Sequence, residues 1–256
     1  MIWTPIRRLR IQLAASVVVV IALIWGAVAY QLHSERKGAL RVATQQGQNL
    51  SNVVAEHFSS YAAAADFLLK DLRNRWARDP GQFADVVALE KDLRRDKFPF
   101  QVSVIDGQGW VLYSDTGSAG DRVFLGDRGY FKFHGNAGKD QLYLSKPPGG
   151  FESARPPIEF TRAIRGKEGE FSGVLLLSIA PDALIRVYEG LDLGSNGLVG
   201  IRGPDNTLLL RWPGIGPVAN RRLPEIPSNA SGRAEAANDI RQGGLDGIER
   251  IFSFRR

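Results

Sequence analysis

"QVSVIDGQGWVLYS", residues 101–114, sets Val102 and Val104 against Gln101 and Ser103, breaks at Asp106-Gly107-Gln108-Gly109, and resumes at Trp110, Val111 and Tyr113. Apolar runs of period two on either side of an Asp-Gly turn predict a β-hairpin. Three more β-rich runs follow within 70 residues: "QLYLS" (141–145), "IEFTRAI" (158–164) and, after the turn "RGKEGE", "FSGVLLLSI" (171–179). Pro181 then opens "PDALIRVYEGL", where a proline suits a first helical turn. Strands joined by short turns and flanked by helical segments give an α/β chain of the α+β type, built on an antiparallel sheet.

One strand is odd. In "IEFTRAI" the alternation puts Ile158, Phe160, Arg162 and Ile164 on one face and Glu159, Thr161 and Ala163 on the other, so Arg162 shares an apolar face. A lone buried guanidinium is expensive, which calls for an anion or a carbonyl partner. The segment "FLGDRGYFKFHGN" (124–136) offers further chemistry in Asp127, Arg128, Tyr130, Lys132 and His134. Arg128 and Arg162 can converge on a carboxylate, which a bidentate guanidinium suits, with hydroxyls from Tyr130 and Tyr143. The alternative pairs Asp127 with Arg128 or Arg162 and leaves Tyr130 and Phe131 to fill core. On either reading Asp127 orients more than it contacts, and His134, beside Gly135 and Asn136, is expected to be exposed.

Upstream, residues 11–32, "IQLAASVVVVIALIWGAVAYQL", carry no charge. About 20 apolar residues at 1.5 Å each span a hydrocarbon core, so a transmembrane helix is predicted, anchored in a bacterial plasma membrane. The run is longer than a signal-peptide core, and Gln31, Leu32 and His33 stand where a cleavage site would want small residues. Arg7, Arg8 and Arg10 precede the span without an acid among them, which places residues 1–10 in the cytoplasm and the body outside. Residues 33–80 read as a stalk helix. Leu40, Ala43, Gly47, Leu50, Val54, His57, Tyr61, Ala64 and Leu68 step by three and four, the spacing of a dimeric coiled-coil seam or of a face packed on the chain's own domain. Phe67, Leu72 and Trp76 are expected to widen that stripe toward the domain. A short helix over 82–95 leads into the hairpin.

Downstream of a first module at 81–190, "NGLVGIRGPDNTLLLRWP" again sets two apolar runs around a turn, and "IERIFSFRR" ends the chain on an apolar strand. A second, incomplete module at 191–256 is predicted, cut before an output domain.

Composition removes several functions. The formal charge of +6 comes from scattered Lys and Arg among 27 acids, with no basic stripe, so no nucleic-acid partner is expected. There are no cysteines and only three histidines, far apart, which argues against thiol nucleophiles, thiolate zinc sites and histidine-rich metal centres; neither a metal nor a cofactor is expected. No Gly-x-Ser-x-Gly, phosphate-cradling glycine loop or Gly-Gly-acid-acid-Phe signature occurs, so the chain is read as non-enzymatic.

The order of anchor, long helix, Asp-Gly hairpin, "DRGYF", "PPIEFTRAI", "GEFSGVLLLSI", "NGLVGIRGPDNTLLLRWP" and "LDGIERIFSFRR" resembles the extracytoplasmic double Cache (PDC-type) sensors of membrane-bound diguanylate cyclases and related histidine kinases. The resemblance covers roughly residues 35–256. It implies PAS-like antiparallel-sheet modules in tandem, a small-molecule cue and signalling through the membrane. It also implies that Asp127, Arg128, Tyr130 and Phe131 line the ligand cavity of the first module, with Arg162 after Thr161 as the central-strand arginine. The segment "PPGGFESARPP" (147–157) departs from the family's usual pocket rim. The expected partners are a small anionic metabolite, an organic or amino acid, the lipid bilayer and a second copy through the stalk helix. The alternative is an anchored binding or assembly protein with no output domain.

Overall fold

The computed structural model describes residues 3–95, 98–117, 123–137, 139–145, 157–203, 208–213, 236–242 and 247–255. The chain opens with one helix, α1 (Trp3–Arg78), followed by a single 3-10 turn at Pro80–Gln82 and α2 (Phe83–Arg94). No proline interrupts residues 6–79, so nothing removes a helical hydrogen bond along that length. Asp79 ends the run: its carboxylate accepts from the Gly81 and Gln82 amides and caps the next turn. The boundaries read from sequence between tail, span and stalk are not breaks in the helix. The predicted helix at 82–95 is the 3-10 turn's last residue plus α2.

The body of the chain is a five-stranded antiparallel sheet in the order β2-β1-β5-β4-β3, made of β1 (Gln101–Asp106), β2 (Val111–Ser114), β3 (Tyr143–Ser145), β4 (Ile158–Arg165) and β5 (Phe171–Ile179). The hairpin of β1 and β2 forms as its sequence predicts. The Asp106 carboxylate accepts from the amides of Gln108 and Trp110 at 2.9 and 2.8 Å, and Gly109 takes φ +93°, open to glycine at no steric cost. Gly109 serves a second purpose: a Cβ there would lie 2.5 Å from Gly126 Cα, and its carbonyl accepts from the Leu125 amide at 2.7 Å. The segment that precedes Asp127 and Arg128 is thus held directly on the hairpin turn.

β4 is buried from Ile158 to Ile164, because both faces of the sheet are covered. On one face Phe160, Leu175, Leu177, Val102 and Val104 pack with α1, whose Leu68, Leu69 and Leu72 are fully buried or nearly so. On the other face lies α3 (Gly129–Asn136), where Tyr130 packs on Ile105, Val174 and Leu176, bordered by Val111, Leu125, Phe131, Tyr143 and Phe171. The "GYFKFHGN" segment, whose glycines suggest a loop, is helical because Tyr130, Phe131 and His134 fall three and four residues apart and turn one side to the sheet. α4 (Pro181–Ile185) closes this part and is shorter than "PDALIRVYEGL" suggests.

By contacts the chain divides into two compact units, residues 1–54 with 228–241 and 251–256, and residues 55–227 with 242–250. The second contains the five-stranded sheet and a two-stranded sheet, β6 (Val199–Arg202) with β7 (Leu208–Trp212), whose Val199, Ile201 and Leu208 to Leu210 are buried. A last pair, β8 (Ala236–Gln242) with β9 (Glu249–Arg255), forms a separate two-stranded sheet. Within the first unit Ser253 abuts Gly47 and Arg255 donates to the Asn52 side chain at 2.9 Å.

Of the heptad seam of α1, Val54, Tyr61 and Leu68 are buried within the chain, whereas Leu40, Ala43 and Ala64 are exposed. Phe67, expected to widen that stripe, points away and is 70 % exposed. The two neighbours therefore respond differently to truncation. Leu68→Ala is expected to destabilise by about 2–5 kcal/mol and Phe67→Ala by no more than about 0.5 kcal/mol, read by denaturant titration; the reverse ranking would put the wrong face of α1 on the sheet.

Candidate functional site

The two faces of β4 carry different chemistry. Arg162 lies on the α1 side with its side chain 7 % exposed. Its Nε donates to Asp66 of α1 and its Nη1 to Asp140, 2.7 Å away, on the segment between α3 and β3. Each acid has a second cation: Lys70 binds Asp66 at 2.8 Å, and Arg73 binds Asp140 at 2.9 Å while also donating to the Ala163 carbonyl. Burial works against charge on both carboxyls, yet hydrogen bonds from Arg162 and Lys70 hold Asp66, and those from Arg73 and Arg162 hold Asp140, below the ordinary 3.8. Burial likewise works against the Arg162 charge, and its two carboxylate partners outweigh it and raise its pKa. The anion that the sequence requires for Arg162 is therefore internal.

The α3 side presents Glu159, Thr161 and Ala163. Here Arg128 is the N-cap residue of α3, half-buried, and Tyr130 follows two residues later, with 2 % of its surface exposed. Burial first, then the Glu159 and Asp127 carboxylates, push the Tyr130 phenol up, with Arg128 opposing them. Glu159 is 8 % exposed; burial pushes its carboxyl above the ordinary 4.5, against a hydrogen bond with Ser145 and the attraction of Arg128. Ser145 sits opposite Glu159 in the β3–β4 register, and Ser178 opposite it in the β4–β5 register. Phe131 meets the ring of Phe171 edge-on at 5.3 Å, and Tyr143 lies against Phe133 at 4.3 Å.

The predicted residues thus separate. Asp127, Arg128, Tyr130, Phe131 and Tyr143 gather on the α3 face, and Arg162 belongs to the α1 face, so Arg128 and Arg162 do not converge from one side of the sheet. Glu159 is the residue that sequence reasoning missed. The alternation in "IEFTRAI" had already placed it on the face opposite Arg162; a buried acid there asks for a partner as much as the arginine does. His134 is also corrected: it is fully buried, not exposed, with Nε2 2.9 Å from Thr161 Oγ1. The rim segment 147–157 lies outside the described residues except for Pro157. Among the described residues no cluster of three His, Cys, Asp or Glu side chains could hold a metal ion.

Solved structures share this architecture. The extracellular domain of the "putative histidine kinase rpHK1S-Z16" superposes with a TM-score of 0.73 at 23% identity, over 85% of this chain and 90% of that one. The fold is PAS/Cache-like. The ligand-binding domain of the Pseudomonas fluorescens chemoreceptor CtaA, solved with L-isoleucine, gives a TM-score of 0.56 at 16% identity over 85% of this chain and 87% of its own. The same receptor domain has been solved with L-alanine and L-serine. A domain of a sensory box/GGDEF family protein from Vibrio parahaemolyticus gives 0.50 at 12% identity over 66% of this chain and 72% of that one. No family model matches the sequence, and no curated protein does. In this PAS/Cache-like fold α1 also carries a stretch long and apolar enough to cross a membrane.

Because Arg162 is neutralised from within, its loss should be felt by the empty protein. Arg162→Ala is expected to lower stability by about 3–5 kcal/mol in chemical denaturation with no small molecule present, because it breaks a buried ion pair with two carboxylate partners. Unchanged stability would return Arg162 to the pool of ligand contacts.

Proposed function

We propose that this chain is the extracytoplasmic ligand-sensing input of a bacterial transmembrane signalling protein. It takes a small carboxylate ligand, an organic or amino acid, on the α3 face of the five-stranded sheet. The carrying observation is that half-buried Arg128, buried Glu159 and buried Tyr130 lie within electrostatic reach of one another on the face that Arg162 does not serve. A guanidinium at the end of a helix suits a carboxylate, and a buried acid suits an ammonium group, so the pair favours an amino acid over a simple organic acid. Asp127 orients the Arg128 turn, Tyr130 offers a hydroxyl, and Phe131 and Tyr143 wall the site. The amino acids bound by the chemoreceptor of the same fold support this choice.

In this reading residues 11–32 cross the plasma membrane with the N-terminus in the cytoplasm and the body in the periplasm. α1 offers a second copy the outward residues Val53 and Phe67, 61 % and 70 % exposed. The modules at 81–190 and 191–256 are input only, and the output is a diguanylate cyclase or, next, a histidine kinase, so the chain itself turns over neither GTP nor ATP.

A thermal-shift panel of single L-amino acids and their deaminated acids tests the site. At least one amino acid is expected to stabilise the protein. Arg128→Ala should keep its melting temperature without ligand and lose ten- to a hundredfold in affinity, about 1.5–3 kcal/mol. Glu159→Gln should lose the preference for the amino acid over its deaminated analogue. A wild-type protein that responds to nothing in the panel would overturn the assignment.

A further inference from the structure

His134 sits on the third turn-facing position of α3, past Arg128 and Tyr130, and the ligand reading gives it nothing to do. Its ring is completely buried. Nε2 is 2.9 Å from Thr161 Oγ1, and Thr161 Oγ1 in turn donates to the Tyr143 carbonyl at 3.3 Å. A threonine hydroxyl has one proton. If that proton goes to Tyr143 O, the Thr161 oxygen must accept from His134, which fixes the proton on Nε2 and leaves Nδ1 as a bare acceptor. Nδ1 is buried and, among the described residues, has no hydrogen-bond partner. The imidazole thus uses its single N–H as a clip between α3 and β4, and no described residue offers a donor to its other nitrogen.

Adding a proton to Nδ1 would put a charge in this place. The charged groups that act on it are Asp140 from the segment before β3, Arg165 from β4 and, through the sheet from its other face, Arg162, and the rings of Phe133 and Tyr143 lie beside it. The two guanidiniums repel an imidazolium. Asp140 attracts it, yet both of its oxygens are already held, by Arg73 and Arg162. Arg165 is itself engaged at the end of the same helix, where its Nη2 donates to the Ala137 carbonyl at 2.6 Å. Burial first, with the arginines adding to it, lowers the His134 pKa from 6.5 to about 4, against the Thr161 backbone and Asp140, which favour the charged form.

We propose that His134 is a positioning residue whose neutral imidazole clips α3 to β4, so that acidification of the surroundings releases the helix that bears Arg128 and Tyr130 and gates the sensor by pH. This rests on the ligand-binding reading of the α3 face. The sign follows from linkage: the unfolded or undocked chain takes up the proton at about 6.5 and the docked helix only near 4, so docking weakens as pH falls through that window. The effect grows by up to tenfold per pH unit and approaches a hundredfold by about pH 4.5. Glu159 contributes with the opposite sign, since burial raises its pKa and protonating it favours the folded form. Asp66 and Asp140, held below 3.8, lose their contribution only at still lower pH. The His134 contribution must therefore be isolated by substitution.

The test needs no ligand, so it can fail independently of the binding proposal. Amide hydrogen exchange in residues 129–136 is measured on the full chain in detergent micelles, for wild type and His134→Gln at matched pH values between 6.5 and 4.5. Glutamine keeps an N–H donor near the Nε2 position and cannot gain a proton. Wild type should lose α3 protection relative to the variant progressively as pH falls, approaching a hundredfold. Identical pH profiles would overturn the proposal. A second measurement covers a variant that does not fold: 15N spectra of histidine-labelled wild type should show His134 as the neutral Nε2–H tautomer at pH 6, with a midpoint near 4. A midpoint near 6.5, or the Nδ1–H tautomer, would overturn it equally.

Discussion

A buried arginine on β4 organises this domain. The Arg162 side chain is nearly inaccessible, and removing a guanidinium from water is tolerable only if its donors find acceptors and its charge finds countercharge. The protein supplies both from two directions, Asp66 from α1 and Asp140 from the connection between α3 and β3. One side chain thereby fixes the register of the long helix against the sheet and pins the segment after α3. Lys70 and Arg73 complete the arrangement, so two acids are shared among three cations and none is left buried alone.

That arrangement explains where sequence reading stops. Period-two alternation located β1 and β2 and placed Arg162 on an apolar face, while β4 and β5, buried on both sides of the sheet, stood out as β-rich runs. The same alternation said that Arg162 needs an anion, but it could not say which: Asp66 and Asp140 are 96 and 22 residues away and enter through tertiary packing alone. A ligand and an internal acid satisfy the same electrostatic demand. Glu159 was overlooked because an acid in an exposed strand face is ordinary, and only the arrival of α3 on that face makes it buried. His134 shows the same cause. Two neighbours of loop-forming type, Gly135 and Asn136, suggested exposure, while the three- and four-residue spacing of Tyr130, Phe131 and His134 set the helix that buries it. β8, whose "AANDIRQ" alternates weakly, was not singled out at all.

The division of charge across the sheet then gives the α3 face its character. With Arg162 spent on the α1 side, Arg128 is the guanidinium that acts on Glu159 and Tyr130. Opposite charges flanking a phenol within a partly buried patch are mutually compensating when empty, which lets the site exist without an ion.

The same connections bear on how a change at the site reaches α1. Arg128 and Tyr130 lie at the start of α3, and its other end is held by three polar contacts in succession: His134 to Thr161, the Ala137 carbonyl to Arg165, and Asp140 to Arg162 and Arg73. The last of these ends on α1 through Arg73 itself and through Asp66. A shift of α3 therefore acts on contacts that are held at their far ends, by Thr161, Arg165, Arg162 and Arg73. A charge-assisted hydrogen bond is worth about 1.5–3 kcal/mol, the same size as the coupling free energies by which one site biases another, about 1–3 kcal/mol. Breaking or keeping a single Asp140 bond is thus enough to tie the state of the α3 face to the position of α1, the helix that also carries the apolar stretch.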